Sequence, residues 1–253
     1  MQMYAVAGDN LLNKQLLLSS IDWVQIAWPN WAQRRQAIVF EGLPTAGAGA
    51  RGIYSLAFAD SSPSPEVGFL TAGRLPALSP DGELLATVDQ GDHLEISQLN
   101  DGMRILMRGP KVSSTRPVVW IGNESIVFLA ENRQVQRLSL PSGAIETTGF
   151  NEFVPVAAID DTGNVLCVDY SGHEISVIDL SHGTSRVIKK YFATSIGIGL
   201  TWDGSRRAVF LSRQTWSKLF RLNDSRDLFL LEMDGSDRRL MPDLTIFGGF
   251  SLR

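Results

Sequence analysis

The chain has 253 residues, of which 44% are hydrophobic, and a formal net charge of −4 at neutral pH. This length suits one large closed all-β domain, and the apolar content predicts a packed core rather than a disordered chain. The slightly acidic, interspersed charges give no basis for a nucleic-acid partner, and no apolar stretch approaches the roughly 18 residues that a membrane helix needs.

Short apolar segments at the start of the chain predict β-strands at Gln2–Ala7 and Lys14–Ser19. No basic start followed by a long apolar block is present, so we expect no secretion signal in this sequence. We expect a cytoplasmic location, or a periplasmic one if a signal has already been removed. The next segment has Trp28-Pro29-Asn30 at its first turn and a Gly- and Ala-rich insertion at Leu43–Gly52.

From residue 74 onward, two kinds of turn recur about every 41 residues. Each turn of the first kind follows a large apolar residue. These turns end at Gly82, Asn123–Glu124, Gly163 and Gly204. The turns of the second kind contain Gly102, Gly143, Gly183 and Gly235, the last of them displaced by an insertion of about 11 residues. Because glycine takes the positive φ of tight hairpins without a steric cost, both series predict β-hairpins.

The segments between these turns are rich in β-branched residues and are alternating or continuously apolar, which predicts strands. The clearest are Leu84–Val88, Ser125–Leu129, Val165–Val168, Ile175–Leu180 and Ala208–Leu211. Each repeat therefore predicts four antiparallel strands. One such sheet cannot cover both of its faces, whereas sheets stacked around an axis can, so a repeat of this length predicts a β-propeller.

The predicted fold class is all-β: a six-bladed β-propeller of four-stranded antiparallel blades, forming a single domain over residues 1–253. Complete blades are predicted at 21–73, 74–110, 111–151, 152–191 and 192–244. A closing blade combines an inner strand at Thr245–Leu252 with two outer strands from residues 1–20, so that both termini close the ring and remove a free edge. This closing blade has three strands, and five blades plus an N-terminal extension is the alternative.

The segment Leu78-Ser79-Pro80-Asp81-Gly82-Glu83-Leu84-Leu85-Ala86 resembles the W-S-P-D-G-K-x-L-A core of the WD40-like, TolB-type propeller repeat. Trp120 occupies the tryptophan position of the next repeat, and Asp179-Leu180-Ser181-His182-Gly183-Thr184 resembles the second turn of the family. The resemblance extends over about residues 74–244. It implies a propeller fold. Propellers of this type include protein-binding periplasmic components and substrate-gating domains of peptidases, so it implies no single activity.

The residues that resemble catalytic motifs or metal ligands are better explained by structural roles. Asp161-Thr162-Gly163 matches the triplet of aspartic proteases, but the chain has no second triplet and this one occupies a turn position. His93, His173 and His182 lack metal-ligand spacing. The first two occupy equivalent positions, which predicts a structural role such as a polar contact between blades.

The single cysteine, Cys167, lies in an apolar run and is predicted to be a buried hydrophobic residue. We therefore predict no catalytic residue, no metal ligand and no cofactor.

An insertion in the fifth repeat combines two aromatic residues with three cations. Aromatic residues and arginine are favoured at binding hot spots, and loops on rigid scaffolds carry recognition. We therefore predict a binding surface at Arg213, Trp216, Lys218, Phe220 and Arg221. The alternative is that Trp216 and Phe220 cap the hydrophobic edge of their own blade.

These observations predict a monomeric, non-enzymatic binding module whose partner is a protein or a peptide. The alternative is a channel-type propeller enzyme, a lactonase or glycan-active hydrolase, whose acidic residues converge at the central axis from scattered positions in the sequence. A third hypothesis is that the chain is one domain of a larger polypeptide. Three or more carboxylates or amides around the channel would favour the enzyme.

Overall fold

The alternation of apolar and polar residues produces β-strands along the chain. The computed structural model describes residues 3–6, 14–18, 22–32, 36–45, 49–58, 65–99, 103–113, 116–190, 194–196, 201–202, 207–214 and 226–244. In these residues every regular element is a strand. No helix in this part of the chain is long and apolar enough to cross a membrane.

Four sheets share one design, in which four consecutive antiparallel strands each pair with the next. We call them blades 1 to 4. Blade 1 contains β3 (Trp23–Ala32), β4 (Ala37–Pro44), β5 (Gly52–Ala57) and β6 (Glu66–Thr71). Blade 2 contains β7 (Arg74–Leu78), β8 (Leu84–Val88), β9 (His93–Gln98) and β10 (Arg104–Lys111). Blade 3 contains β11 (Val119–Ile121), β12 (Ser125–Leu129), β13 (Gln134–Ser139) and β14 (Ile145–Asn151). Blade 4 contains β15 (Phe153–Ala158), β16 (Asn164–Asp169), β17 (Glu174–Asp179) and β18 (Thr184–Lys190).

Two further sheets depart from this design. A five-stranded sheet contains β19 (Thr194–Ile196), β20 (Thr201–Trp202), β21 (Arg207–Gln214), β22 (Arg226–Glu232) and β23 (Asp237–Leu244). Both β19 and β20 pair with β21, as two pieces of one interrupted strand would. A two-stranded sheet contains only β1 (Met3–Val6) and β2 (Lys14–Leu18).

The prediction of six four-stranded blades closed by both termini is wrong. The described strands form four four-stranded blades, one five-stranded sheet and a separate hairpin. The apolar residues Met3 and Leu18 of the hairpin pack against Trp23 and Phe40 of blade 1, which buries them without further strand pairing. The hairpin occupies the place in the chain that the five-blade alternative gave to an N-terminal extension. The predicted inner strand Thr245–Leu252 lies outside the described residues, and the assignment of one domain to the whole chain stays a prediction.

The strands follow one order from the axis of the ring outward. The first strands of neighbouring blades contact each other, β3 with β7, β7 with β11 and β11 with β15. The second strands are the most buried, and all five residues of β12 are buried. The fourth strands β6, β10, β14 and β18 carry most of the exposed residues. First strands around the axis and fourth strands at the rim are the arrangement of a β-propeller.

Apolar side chains fill the space between neighbouring blades. One cluster joins Ile96 of blade 2 to Phe128 of blade 3, and another joins Val127 of blade 3 to Cys167 of blade 4. Cys167 is fully buried, which confirms its prediction as a buried hydrophobic residue. The indole Nε1 of Trp120 donates a hydrogen bond of 3.0 Å to the carbonyl oxygen of Ala77 in the preceding blade. This bond satisfies the polar group of a buried tryptophan and fixes the two blades together.

The turns divide between two opposite faces of the ring. We call the face at which the first strand of each blade begins the entry face, and the opposite one the exit face. The entry face carries the connections between blades and the turns between second and third strands, at 89–93, 130–134 and 169–173. The exit face carries the other hairpin turns, among them 79–83, 122–124, 140–144, 160–163 and 180–183.

Much of the predicted turn and strand pattern is confirmed. Gly82 and Gly163 close hairpins with φ of +73° and +107°, which glycine adopts without a steric cost. The predicted strands Leu84–Val88 and Ser125–Leu129 have the observed bounds. The turns predicted at Gly102 and Gly204 lie outside the described residues.

Candidate functional site

Backbone hydrogen bonds join the connections between blades to the turns on the entry face. Between blades 2 and 3, the N–H of Val112 donates to the carbonyl of Asp92 (2.9 Å), and the N–H of Ser113 donates to the carbonyl of Leu129 (2.7 Å). The connection is therefore bonded to the blade before it and to the blade after it. Such pairing satisfies backbone groups of the connection and ties it to both blades.

The same pattern recurs between blades 3 and 4. The N–H of Glu152 donates to the carbonyl of Arg133 (2.9 Å), and the N–H of Tyr170 donates to the carbonyl of Glu152 (2.7 Å). Arg133 and Glu152 have φ of +63° and +60°, and Asp92 has +67°. For residues other than glycine this left-handed conformation costs about 1 kcal/mol, and such strain occurs often at functional sites.

The side chains of Arg133, Glu152 and Tyr170 form a surface cluster at the border of blades 3 and 4. The guanidinium carbon of Arg133 lies 4.3 Å from the centre of the Tyr170 ring, a cation–π distance. Its Nη1 lies 3.5 Å from Oε1 of Glu152. Tyr170 is 44% exposed, so part of its side chain is accessible to a partner. Tyrosine and arginine are residue types that contribute strongly to binding energy at protein interfaces.

The two histidines predicted to have a structural role, His93 and His173, contact their own turns. The backbone N–H of His93 donates to Asp89 (2.9 Å), and that of His173 donates to Asp169 (2.7 Å), so the two positions are equivalent as predicted. The Nδ1 of His173 lies 3.1 Å from Oγ of Ser171 in the same turn. The prediction of a polar contact between blades is therefore wrong, and the aspartate of each turn organises the backbone locally.

Asp89 illustrates the electrostatics of these turns. Its burial alone would raise the pKa of the carboxyl, but hydrogen bonds from the N–H groups of His93 and Gly91 and the positive charge of Arg108 lower that pKa below its usual range. Arg108 lies 2.7 Å from Asp89 and 3.1 Å from Glu95. The acidic side chain is thus engaged in holding the turn and is a poor candidate for acid–base chemistry.

A pocket opens on the entry face beside the axis, between blades 3 and 4. It is bounded by the connection that leads into β11, by the end of β12 and by the start of β15. It has room for about one water molecule, and its lining mixes polar and apolar groups. The lining comprises Val112, Ser113, Arg116, Pro117, Val118, Phe128, Leu129, Val154 and Pro155. Sequence analysis missed this pocket, because its lining comes from three separated segments that the fold alone brings together.

Arg116 supplies the charge of the pocket. Its side chain is half-buried. Burial lowers the pKa of the guanidinium to about 10, so the group remains positively charged at neutral pH. A second arginine, Arg74, begins the neighbouring inner strand β7 and pairs through Nη2 with Asp92. The Nε of Arg74 is buried and has no hydrogen-bond partner. Two cationic side chains therefore stand at the entry ends of neighbouring inner strands.

The described inner strands carry no carboxylate. The sequences of β3, β7, β11, β15, β19 and β20 contain neither aspartate nor glutamate. The amide of Asn30 in β3 donates to the carbonyls of Trp28 (2.8 Å) and Pro76 (2.9 Å), a structural use. No group of three or more histidine, cysteine, aspartate or glutamate side chains suited to a metal ion occurs among the residues that the structure describes. The acidic channel required by the enzyme alternative is not found in these strands.

The triplet Asp161-Thr162-Gly163 is a hairpin turn on the exit face, as predicted. The carboxylate of Asp160 accepts hydrogen bonds from the backbone N–H groups of Thr162 (3.0 Å) and Asn164 (3.1 Å). The oxygen atoms of this segment are used to close the turn between β15 and β16.

The predicted binding surface falls mostly outside the described residues. Trp216, Lys218, Phe220 and Arg221 all belong to this undescribed part. Arg213 lies in β21, where its backbone is opposite Arg226 of β22 and Ser195 of β19. Since β19 begins at the entry end of its sheet, the ends of β21 and β22 joined by the segment 215–225 belong to the entry face. The binding role of this segment stays a prediction.

The fold resembles that of several solved propellers. A putative TolB from Agrobacterium tumefaciens matches over 91% of this chain and 84% of its own, with a TM-score of 0.66 and 16% identity. A chain of a nidogen/laminin complex matches over 96% and 89%, with a TM-score of 0.67 and 13% identity. An oligogalacturonate lyase in complex with manganese matches over 95% and 73%, with a TM-score of 0.58 and 14% identity.

No protein-family model and no curated protein matches the sequence. The structural likeness confirms the predicted TolB-like propeller at the level of the fold. At such low identity it does not carry the activity of any of these proteins to this chain.

Proposed function

We propose that the protein is a non-enzymatic binding module that recognises a protein or a peptide through its entry face. The observation that carries this proposal is the surface cluster at the border of blades 3 and 4, in which Arg133 lies over the ring of Tyr170, which is 44% exposed, and beside Glu152. Tyrosine and arginine are residue types that contribute strongly to binding energy at protein interfaces. The ring of Tyr170 and its cation–π partner Arg133 lie on the entry face.

The character of the described inner strands supports binding over catalysis. A channel-type hydrolase or lyase needs acidic side chains, or a metal held by them, at the axis. The four complete blades instead direct strands without carboxylates toward the axis. The hydrogen bonds that join connections to turns also favour a rigid recognition surface, because preorganisation reduces the entropy lost on binding.

The fifth sheet adds a second element to this proposal. We propose that Trp216 and Phe220, which lie outside the described residues, also take part in recognition, because the strands β21 and β22 that flank their segment in the sequence have their joined ends on the entry side. Alanine at both positions tests this: affinity for an entry-face ligand should fall at least about tenfold if the two aromatic residues are hot spots. Unchanged affinity in a folded variant would remove the segment from the surface.

The experiment uses random peptides presented to the immobilised protein in two formats, one with internal peptides and one with a free carboxyl terminus. Enriched peptides are then measured against wild type, against the entry-face variant Tyr170→Ala, and against His182→Ala, whose exposed side chain lies on the exit face. We expect binding to weaken about tenfold in Tyr170→Ala, as for an aromatic hot spot, and to stay unchanged in His182→Ala.

Three results would overturn the proposal. The first is that neither format enriches any peptide above a bare surface, and the second is that the enriched peptides bind Tyr170→Ala as tightly as wild type. The third is turnover of oligogalacturonate with manganese, or of lactones with calcium, by the wild-type protein, which would establish the enzyme alternative.

A further inference from the structure

We propose that the outer strand β10 of blade 2 is a second binding surface, which takes an extended, acidic and apolar segment of a protein partner as an added β-strand. This surface lies on the rim of the ring and is separate from the entry face, so the inference goes beyond the proposed function. It follows from the exposed apolar side chains of β10, from its charge and from its position at the edge of a sheet.

Two neighbouring apolar side chains of β10 are exposed at the rim. Ile105 and Leu106 are 59% and 49% exposed, and no other outer strand of blades 1 to 4 has two consecutive large apolar residues with such exposure. The register between β9 and β10 shifts between Ile105 and Met107, so Leu106 has no opposite residue on β9. Such a bulge redirects side chains at the edge of a sheet. Met107 packs against the apolar cluster between blades 2 and 3 and anchors the exposed pair.

The charge of β10 favours an acidic partner. The strand contains three cations, Arg104, Arg108 and Lys111, and no acidic residue. Arg108 forms ion pairs with acidic residues of its own blade. Among the residues that the structure describes, no carboxylate pairs with Arg104 or Lys111, which are the first and last residues of the strand. A segment whose carboxylates meet these two cations gains an attraction that a neutral or basic segment lacks.

The other outer strands of blades 1 to 4 do not combine these features. The strands β6 and β14 contain one glutamate each and no cation. The strand β18, which the structure describes throughout, contains three cations, but all three have partners in blade 4 or in the fifth sheet. Val187 is the one large apolar residue that β18 exposes. Exposed aliphatic side chains beside cations without a described partner are therefore a property of β10.

The edge of β10 can accept a further strand. It is the last strand of its sheet, and no described strand pairs with its outer side. An extended peptide bonds to such an edge through its backbone, while its alternate side chains contact the surface. Pro110 lacks an N–H group, which limits this pairing to residues 104–109. Cations and proline at an edge prevent self-association. Two copies of β10 would repel each other, so the charge excludes a second copy of this chain and fits a partner of opposite sign.

The test uses two peptide libraries in which apolar residues alternate with charged ones, glutamate in one library and lysine in the other. We expect the immobilised wild-type protein to enrich peptides from the glutamate library only. The best peptide is then synthesised with glutamine in place of every glutamate, and in two N-methylated forms, each with the N–H groups of one edge blocked. The glutamine form and one of the two N-methylated forms should bind at least about tenfold more weakly, because they lose the charge attraction and the backbone pairing.

Variants assign the binding to β10. The double variant Ile105→Ala with Leu106→Ala should weaken the peptide at least about tenfold, since it removes the exposed apolar pair. Arg104→Gln with Lys111→Gln should weaken the glutamate peptide and leave the affinity of its glutamine form unchanged. The matched control is Ile145→Ala, which removes a 46% exposed side chain from β14. This control and Tyr170→Ala on the entry face should both bind the peptide as wild type does.

Several results would overturn the inference. They are no enrichment from the glutamate library, equal enrichment from the lysine library, and full affinity in both N-methylated forms. The comparisons on wild type do not depend on the folding of any variant. Unchanged affinity in the double alanine variant, or equal competition by polyphosphate at matched ionic strength, would also overturn it. Weaker binding in Tyr170→Ala would assign the peptide to the entry face, so that this inference fails while the proposed function stands.

Discussion

Glu41 forms a buried link between blades 1 and 2, and its replacement by glutamine tests how the blades are held together. The Glu41 side chain is only 2% exposed. Its Oε1 accepts hydrogen bonds from Nε (3.0 Å) and Nη2 (2.6 Å) of Arg51. Its Oε2 accepts one from the backbone N–H of Leu75 (3.0 Å), at the start of β7. Leu75 has a φ of +54°, so this bond stabilises a strained backbone next to Arg74.

Glutamine offers one acceptor where the carboxylate offers two. If the glutamine carbonyl faces Leu75, the amide NH₂ faces Arg51 and replaces the Glu41–Arg51 ion pair. If the carbonyl faces Arg51 instead, the buried N–H of Leu75 is left without an acceptor. An unsatisfied buried donor costs about 1–3 kcal/mol. The Arg51 side chain is 55% exposed, so the loss of its pairing is partly compensated by water. We expect Glu41→Gln to lower the free energy of unfolding by about 2 kcal/mol, or Tm by about 4–8 °C.

The assay is urea unfolding of wild type, Glu41→Gln, Arg51→Gln and the double variant. Arg51→Gln leaves a buried carboxylate with the single N–H of Leu75, and removal of one partner from a buried pair costs about 3 kcal/mol or more. Because Glu41→Gln then removes the uncompensated charge, the double variant should be more stable than the sum of the single losses implies. A loss below about 0.5 kcal/mol for Glu41→Gln, or strict additivity, would refute this account of the link.

Four further outcomes can be measured on the same protein. Gly235→Ala should lose about 2 kcal/mol or more in urea unfolding, because its Cβ would lie 2.6 Å from the carbonyl oxygen of Ile188 at a φ of +88°. Arg133→Gly should be more stable than Arg133→Ala by about 1 kcal/mol, since only glycine relieves the left-handed backbone. Burial of Asp169 would raise the pKa of its carboxyl, but hydrogen bonds to the carboxylate lower that pKa below the ordinary 3.8. The ionised carboxylate therefore stabilises the fold above about pH 4, and this stabilisation is lost as the pH falls further. Asp169→Asn should therefore differ from wild type in stability at neutral pH and converge with it in acid. Burial also raises the pKa of the Cys167 thiol, so iodoacetamide should modify it slowly in the native protein and rapidly in urea.

The features that the sequence predicted correctly are local. The hairpin that ends at Gly82 depends on a turn in which nearby residues supply most of the hydrogen bonds, such as the N–H of Glu83 to Asp81 (3.0 Å). One bond reaches the next blade, from the N–H of Asp81 to Oδ1 of Asn123 (3.2 Å). The strand Ser125–Leu129 depends on five residues that are apolar or small and that fit between two blades. Such signals need no knowledge of distant contacts, and their recurrence at a fixed interval was enough to indicate a propeller.

The features that the sequence did not predict depend on distant parts of the chain. The hairpin β1–β2 has the pattern of two outer blade strands, but Met3 and Leu18 find their apolar contacts on Trp23 and Phe40 without pairing to a third strand. Periodicity predicts that a strand forms but not which sheet it joins. The pocket likewise required residues from three segments, and Arg116, which lies in a connection without a motif, gave no signal of its own.

The two faces of the ring use their strained positions differently. In blades 2 to 4 the left-handed positions of the described exit-face turns are all glycine, as at Gly82, Gly143 and Gly183. The corresponding positions on the entry face include Arg133 and Glu152, where glycine would adopt the same backbone at a lower steric cost. A side chain kept at such a position must be useful for something other than the turn itself. On the entry face Arg133 contacts the ring of Tyr170 and lies beside Glu152, so the distribution of strain favours this face as the one that binds.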